Sequence, residues 1–181
     1  MTPVESLWIV LVVVFGIVGL VRGFLKELGV TLVLIVLLFG LTRLSGNLKR
    51  ILDMAAGVTR LSVISQLYDN PAVWLVFYSG IIVSVMYFAY QGYVIKYPGN
   101  DPKGIENVLL SLMVGLINGY LFAGSLWFYM DKYKQPLQTL KLFTGEYSPL
   151  ALKMLKVLPP ELLNPFLPFL VVFMIILLVI K

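Results

Sequence analysis

Residues 7–41 read LWIVLVVVFGIVGLVRGFLKELGVTLVLIVLLFGL, which is two apolar stretches joined by a short charged connection. The first stretch covers residues 7–21, the second covers residues 28–41, and the connection covers residues 22–27. Apolar stretches this continuous are typical of membrane helices rather than of the surface helices of soluble proteins. The pattern predicts a tight helical hairpin in a membrane.

Each of these two stretches is shorter than the roughly 20 residues that a helix needs to cross the hydrocarbon core. We therefore expect long polar side chains at the helix ends to extend to the membrane–water interface, or the hairpin to enter the membrane only partly. A cleaved signal peptide is the competing interpretation. It is disfavoured because Glu5 stands where a basic segment is expected and a second apolar helix follows at once.

Composition places the rest of the chain in the membrane as well. Of 181 residues, 60% are apolar and 13% are charged, whereas soluble domains have about 25% charged residues. The mean hydropathy is +0.94. Because so few charges cannot cover a water-soluble core, most of the apolar surface must face lipid or other membrane helices.

The chain contains no Cys and no His. This excludes disulfides, thiolate nucleophiles, histidine haem ligation and nearly every zinc or copper site, and a serine nucleophile has no evident base. We expect no catalytic residue, no metal site and no cofactor. The net charge of +5 suits contact with anionic lipid head groups, and the dispersed basic residues do not indicate a nucleic-acid partner.

Three further apolar stretches follow the hairpin. Asn70 and Pro71 predict a helix start, and the stretch that they open covers residues 72–93. The next covers residues 105–128, and the last covers residues 166–180, which span only about 22 Å as a helix. The sequence therefore predicts an all-α, polytopic integral membrane protein with four or five transmembrane helices.

Two segments between these stretches have mixed polarity. Residues 47–65 predict an amphipathic helix in the membrane interface, and a solvated helix packed on the hairpin would give the same pattern. Residues 131–163 predict two short interfacial helices. Ser148 and Pro149 mark the start of the second helix, and the proline pair at residues 159–160 marks its end.

Charged side chains are absent from the middle of every predicted span. The carboxylates nearest to the spans stand at helix ends, where we expect them to be hydrated anchors: Glu5, Glu27, Glu106 and Asp131. An ion or proton carrier usually places such groups in mid-membrane, so this pattern disfavours transport.

Glycines at helical spacing mark two faces for close helix packing. They lie on the first and fourth predicted helices: Gly16, Gly19 and Gly23, then Gly115 and Gly119. Small residues four apart let another backbone approach closely. Asn118 stands beside the second group, and an amide is costly in lipid, so we expect it to lie in the interior as an interhelical hydrogen-bonding residue.

The run Gly16-Ile-Val-Gly19-Leu-Val-Arg22-Gly23-Phe24-Leu25-Lys26-Glu27-Leu28 resembles the first hairpin of the colicin V production (CvpA) family, with its G-x-x-x-G-x-x-R-G-F pattern and basic-acidic pair. Residues 109–119 are similar to a later helix of that family. Asn118 stands where the family commonly has Arg, and the polar pair before this helix is altered to Glu106 and Asn107. The resemblance covers residues 1–130. Residues 131–181 form an extension.

This resemblance implies a small polytopic protein of the bacterial inner membrane, linked to export or envelope homeostasis. We expect the motif residues Arg22, Lys26 and Glu27 to stabilise the hairpin itself. Arg22 can bond backbone carbonyls at the end of the first helix, and Glu27 can cap the start of the second. We expect a non-enzymatic scaffold, an accessory subunit of an electron-transfer or secretion assembly whose partners are other integral membrane proteins and lipids. The alternative is a small channel or transporter.

Overall fold

A computed structural model describes residues 3–59, 70–91, 95, 97–139 and 147–180. Within these residues the secondary structure is entirely helical. The helices are α1 (Pro3–Arg22), α2 (Phe24–Thr59), α3 (Pro71–Tyr90), α4 (Ile105–Lys132), α5 (Gln135–Thr139), α6 (Pro149–Leu155), α7 (Pro159–Leu162) and α8 (Leu167–Val179).

Four of the helices are long and apolar enough to cross a membrane. Their candidate spans are Val4–Arg22, Phe24–Ser45, Pro71–Tyr90 and Ile105–Lys132. The apolar helix α8 is shorter, with 13 residues. The predicted all-α fold with several membrane-crossing helices is confirmed.

The hairpin is tighter than the sequence predicted, because Gly23 alone separates α1 from α2. Both helices also extend beyond their apolar stretches, so that the candidate spans have 19 and 22 residues. The two helices are therefore longer than their apolar stretches alone indicated. Polar residues near each end continue the helix and lengthen the span.

Helix α2 does not end with its apolar stretch. The predicted separate helix over residues 47–65 is, as far as Thr59, a continuation of α2, and residues 60–65 lie outside the described residues. Thr42 and Ser45 donate hydrogen bonds to backbone carbonyls one turn earlier, and Asn47 donates to the carbonyl of Arg43. Because their polar groups bond within the helix, these residues do not interrupt it.

Side-chain capping explains two of the remaining helix starts. The predicted start at Asn70 is confirmed, because its side chain accepts from the backbone N–H of Ala72 at 2.9 Å. Ser148 caps α6 in the same way. The proline pair behaves differently from the prediction, since Pro159 begins the one-turn helix α7 instead of ending α6.

Helix α4 lies at the centre of the bundle and contacts α1, α2, α3 and α7, whereas α8 packs on α2. Helices α1 and α4 run antiparallel. Trp8 near the start of α1 lies against Trp127 near the end of α4, and Gly19 lies against Gly115. This arrangement brings the end of α1 beside the first half of α4.

Candidate functional site

The hairpin turn is closed by a side chain from a distant loop. Gly23 has a φ of +91°, a conformation that glycine adopts without the cost that a Cβ would impose. With no side chain there to cap α2, the backbone N–H of Leu25 donates to Asp101 Oδ1 at 2.9 Å. A Cβ on Gly23 would lie 3.1 Å from Asp101 Oδ2. Glycine is thus needed both for the turn and for the approach of Asp101.

The carboxylate of Glu27 lies just inside this turn and has no exposed surface. Its Oε1 lies 3.2 Å from Nη1 of Arg22. Its Oε2 accepts hydrogen bonds from the hydroxyl of Tyr90 and from Nδ2 of Asn118, each at 2.8 Å. The carboxylate therefore joins α2 to α1, α3 and α4.

The amide of Asn118 completes this network. Besides the carboxylate, its Nδ2 donates to the backbone carbonyl of Glu27 at 3.0 Å, and its Oδ1 accepts from the hydroxyl of Thr31 at 2.8 Å. Both parts of the amide are thus used, as a buried amide requires. We call Arg22, Glu27, Thr31, Tyr90 and Asn118 the hairpin cluster.

The guanidinium group of Arg22 lies between the face of an aromatic ring and a carboxylate. Cζ of Arg22 is 4.2 Å from the centre of the Tyr90 ring, while its Nη1 contacts Glu27. Phe15 packs edge-to-face on the same ring, with the ring centres 5.4 Å apart. A guanidinium over an aromatic face and beside a carboxylate is held by both a cation–π contact and an ion pair.

The sequence did not identify this cluster. Glu27 was expected to be hydrated, and that expectation was wrong, as it was for Glu5, because both have no exposed surface. Glu106, by contrast, is exposed, and Asp131 is partly exposed. Arg22 and Glu27 were also expected to cap the ends of their helices. In the structure their side chains lie against each other instead.

Some members of the cluster had a signal in the sequence and others had none. Asn118, for which an interior position was expected, is fully buried. Thr31 stands one turn after Glu27 in an apolar helix, which places both polar groups on one face. Tyr90 and Asp101 are distant in sequence from Glu27, and no local pattern pointed to either of them. Lys26 is exposed and lies outside the cluster.

The glycines of α1 and α4 face each other. A Cβ on Gly115 would lie 3.0 Å from the Cα of Gly19 and 3.1 Å from the Cα of Gly16, and a Cβ on Gly119 would lie 2.8 Å from the Cα of Val12. Such distances leave no room for a side chain beside the opposite backbone. The glycine faces are therefore covered within the chain, and they hold the end of α1 against α4.

A second buried carboxylate lies near the other end of α1. Glu5 accepts a hydrogen bond from the hydroxyl of Ser148, which also caps α6. Nearby in sequence, the hydroxyl of Tyr147 donates to Asp131 at 2.5 Å, and Lys134 lies 3.2 Å from the same carboxylate. Burial and the negative charge of Asp131 raise the pKa of Tyr147.

The chemistry of these groups is that of paired and hydrogen-bonded side chains. In the part of the chain that the structure describes, no three His, Cys, Asp or Glu residues come together as ligands for a metal ion. The hairpin cluster pairs one cation with one carboxylate and surrounds them with three hydrogen-bonding side chains. It links four helices, and its one carboxylate is paired with the guanidinium of Arg22.

Comparisons of the chain with protein-family models, with curated proteins and with solved structures give no match. The fold itself defines the class, which is a multi-pass α-helical membrane protein with four candidate spans. The resemblance to the colicin V production family, which was read from residues 16–28 and 109–119, therefore stays a prediction.

Proposed function

We propose that this chain is a non-enzymatic integral membrane scaffold, similar to the colicin V production family, and an accessory subunit of a larger complex in the bacterial inner membrane. An electron-transfer complex or a secretion or envelope assembly would suit such a subunit. The observation that carries the proposal is the pairing within the hairpin cluster. Its charged and polar groups bond to one another across α1, α2, α3 and α4, as in a framework that holds helices in place.

The outer surfaces of the bundle support this proposal. Exposed apolar side chains follow the outward faces of α1, α3 and α8. The glycine faces of α1 and α4 are occupied by each other, so partner helices must contact other faces. Gly40 of α2 and Gly80 of α3 are exposed, and a Cβ added to either would meet nothing within 4 Å. These two positions can be changed without disturbing the packing of the chain itself.

Purification in a mild detergent, followed by mass spectrometry of the co-eluting chains, tests the proposal. We expect other integral membrane proteins in a constant ratio to this chain. Gly80→Leu and Gly40→Leu each add a large side chain to a different outward face. If a partner is lost from only one of these two variants, that partner contacts the face that carries the substitution. The other variant is then the matched control. Recovery of the chain alone as a homo-oligomer would contradict the proposal.

A small transporter is the second candidate, and the buried charge of Glu27 favours it, because ionisable groups inside membrane helices often mark a substrate path. Polar side chains within the spans do not come together as a path: Ser84 is exposed on α3, whereas Asn118 is fully buried against α2. Flux of a solute into proteoliposomes that contain only this chain, abolished by Glu27→Gln, would favour transport over the scaffold.

A further inference from the structure

We propose that the hairpin cluster is a binding site for a small organic cation of the guanidinium type, and that Arg22 occupies this site in the structure as a tethered ligand. The inference goes beyond the scaffold function and does not depend on it. A scaffold needs the four helices to be joined. It does not need the cation that joins them to be exchangeable.

The carboxylate of Glu27 requires a cation. It has no exposed surface, and among the described residues Nη1 of Arg22 is the group that contacts its Oε1, at 3.2 Å. Removing one partner of a buried ion pair is strongly unfavourable, because the other charge is left uncompensated. A second cation that replaced Arg22 would keep this buried charge compensated.

The geometry around the carboxylate suits a flat cation. The Tyr90 ring lies 4.2 Å from Cζ of Arg22, and the hydroxyl of the same tyrosine bonds the carboxylate at 2.8 Å. One cation can therefore contact the ring face and the carboxylate together. Guanidinium groups combine a planar face with directional N–H donors, which matches this pair of surfaces.

A metal ion is a poorer match for the same groups. The site has a single carboxylate, and the hydroxyl of Thr31 already donates a hydrogen bond to Oδ1 of Asn118 at 2.8 Å. Divalent metal ions prefer several free oxygen ligands. The chemistry thus favours an organic cation over a metal ion.

Arg22 has a way out of the site. It is the last residue of α1, and Gly23 with its φ of +91° follows it directly. Its side chain is 17% exposed, whereas that of Glu27 is fully buried, so the arginine lies on the outer side of the pair. A long side chain at a helix end can turn its charged group to the interface. Exchange therefore needs no helix to unfold.

Titration of the full chain in detergent micelles with methylguanidinium chloride, followed by isothermal calorimetry, tests the proposal. We expect weak but saturable binding to the wild type, because a tethered competitor acts at an effective concentration on the order of millimolar. Arg22→Gln removes the competitor, and we expect it to bind the probe at least about tenfold more tightly. Tetramethylammonium and sodium chloride at the same ionic strength are the comparison salts.

Two tyrosine variants separate the ring from the hydroxyl. Tyr90→Phe keeps the ring face, and Tyr90→Leu removes it. We expect the leucine variant to lose more affinity for methylguanidinium than the phenylalanine variant. Arg22→Gln leaves Glu27 without its cation and can fail to fold. The tyrosine pair keeps both charges, so it tests the proposal without that variant.

Three results would overturn the proposal. The first is the absence of saturable binding to the wild type, including the case in which only Arg22→Gln binds, since the substitution would then have created the cavity. The second is sodium binding as tightly as methylguanidinium. The third is equal affinity in the two tyrosine variants, which would place the probe away from the ring.

Discussion

Glu5 and Glu27 have the same local sequence setting and different tertiary roles. Each lies in the first turn of a long apolar helix, and each has no exposed surface. Glu27 contacts Arg22, Tyr90 and Asn118, which lie on three other helices. Glu5 accepts a hydrogen bond from Ser148, the residue that caps the short helix α6.

The difference shows that a buried carboxylate can join either the spans to each other or a surface segment to one span. Glu27 links α1, α2, α3 and α4 at one end of the bundle. Glu5 links the segment that contains α6 to the start of α1. We therefore expect changes at the hairpin cluster to affect the whole bundle, and changes near Glu5 to affect the C-terminal segment first.

Arg22→Met should have the largest effect. It leaves the buried Glu27 carboxylate without its cation, and the loss of one partner from such a pair costs about 3–5 kcal/mol. Unfolding in detergent, followed by circular dichroism, measures this cost.

The double variant Arg22→Met with Glu27→Leu is the control for this effect. It removes both charges and should recover part of the loss, while the hydroxyl of Tyr90 and one N–H of Asn118 lose their acceptor at a cost of about 1–3 kcal/mol. A double variant less stable than Arg22→Met would contradict the ion-pair explanation.

Gly115→Ala should have the next largest effect. The added Cβ would lie 3.0 Å from the Cα of Gly19, so the backbones of α1 and α4 must separate. Forcing apart a packed contact costs about 1–3 kcal/mol. The glycine contact lies between the two buried carboxylates, so both ends of α1 should loosen. Gly80→Ala is the matched control, because its Cβ meets open space; equal losses in the two variants would rule out this explanation.

Ser148→Ala should destabilise the protein less and more locally. It removes the N-cap of α6 and the hydroxyl that donates to Glu5, and loss of a cap costs about 0.5–2 kcal/mol. Hydrogen exchange should accelerate in residues 149–155 and stay unchanged around Gly115. Faster exchange throughout the bundle would mean that the Glu5 region also holds the spans together.

Asp101→Ala should have the smallest effect. It removes the acceptor for the N–H of Leu25, which is one capping interaction worth about 1 kcal/mol. Asp101→Asn keeps a side-chain oxygen at the same place and should retain most of the stability. The thermal unfolding midpoints of the two variants test this, and an asparagine variant as unstable as the alanine variant would argue against capping.

The sequence predicted the membrane-crossing helices well, because continuous apolar residues decide that property locally. It also marked Ser148 and Asn70 as helix starts, since a capping side chain bonds a backbone group two or three residues away. It failed in the second half of α2, where a separate amphipathic helix was predicted over residues 47–65. Thr42, Ser45 and Asn47 lie where the apolar stretch gives way to that segment. Their polar groups bond within the helix, and composition does not show that.

The sequence by itself determined the class of this protein, its tight hairpin and the close approach of two helices that its glycines allow. These properties depend on hydrophobicity and on local backbone conformation. Only the tertiary structure decided that Glu27 is buried and paired. A carboxylate at a helix end is hydrated unless other helices cover it, and here Tyr90 and Asn118 come from positions 63 and 91 residues further along the chain. Burial at such a position is a property of the whole bundle.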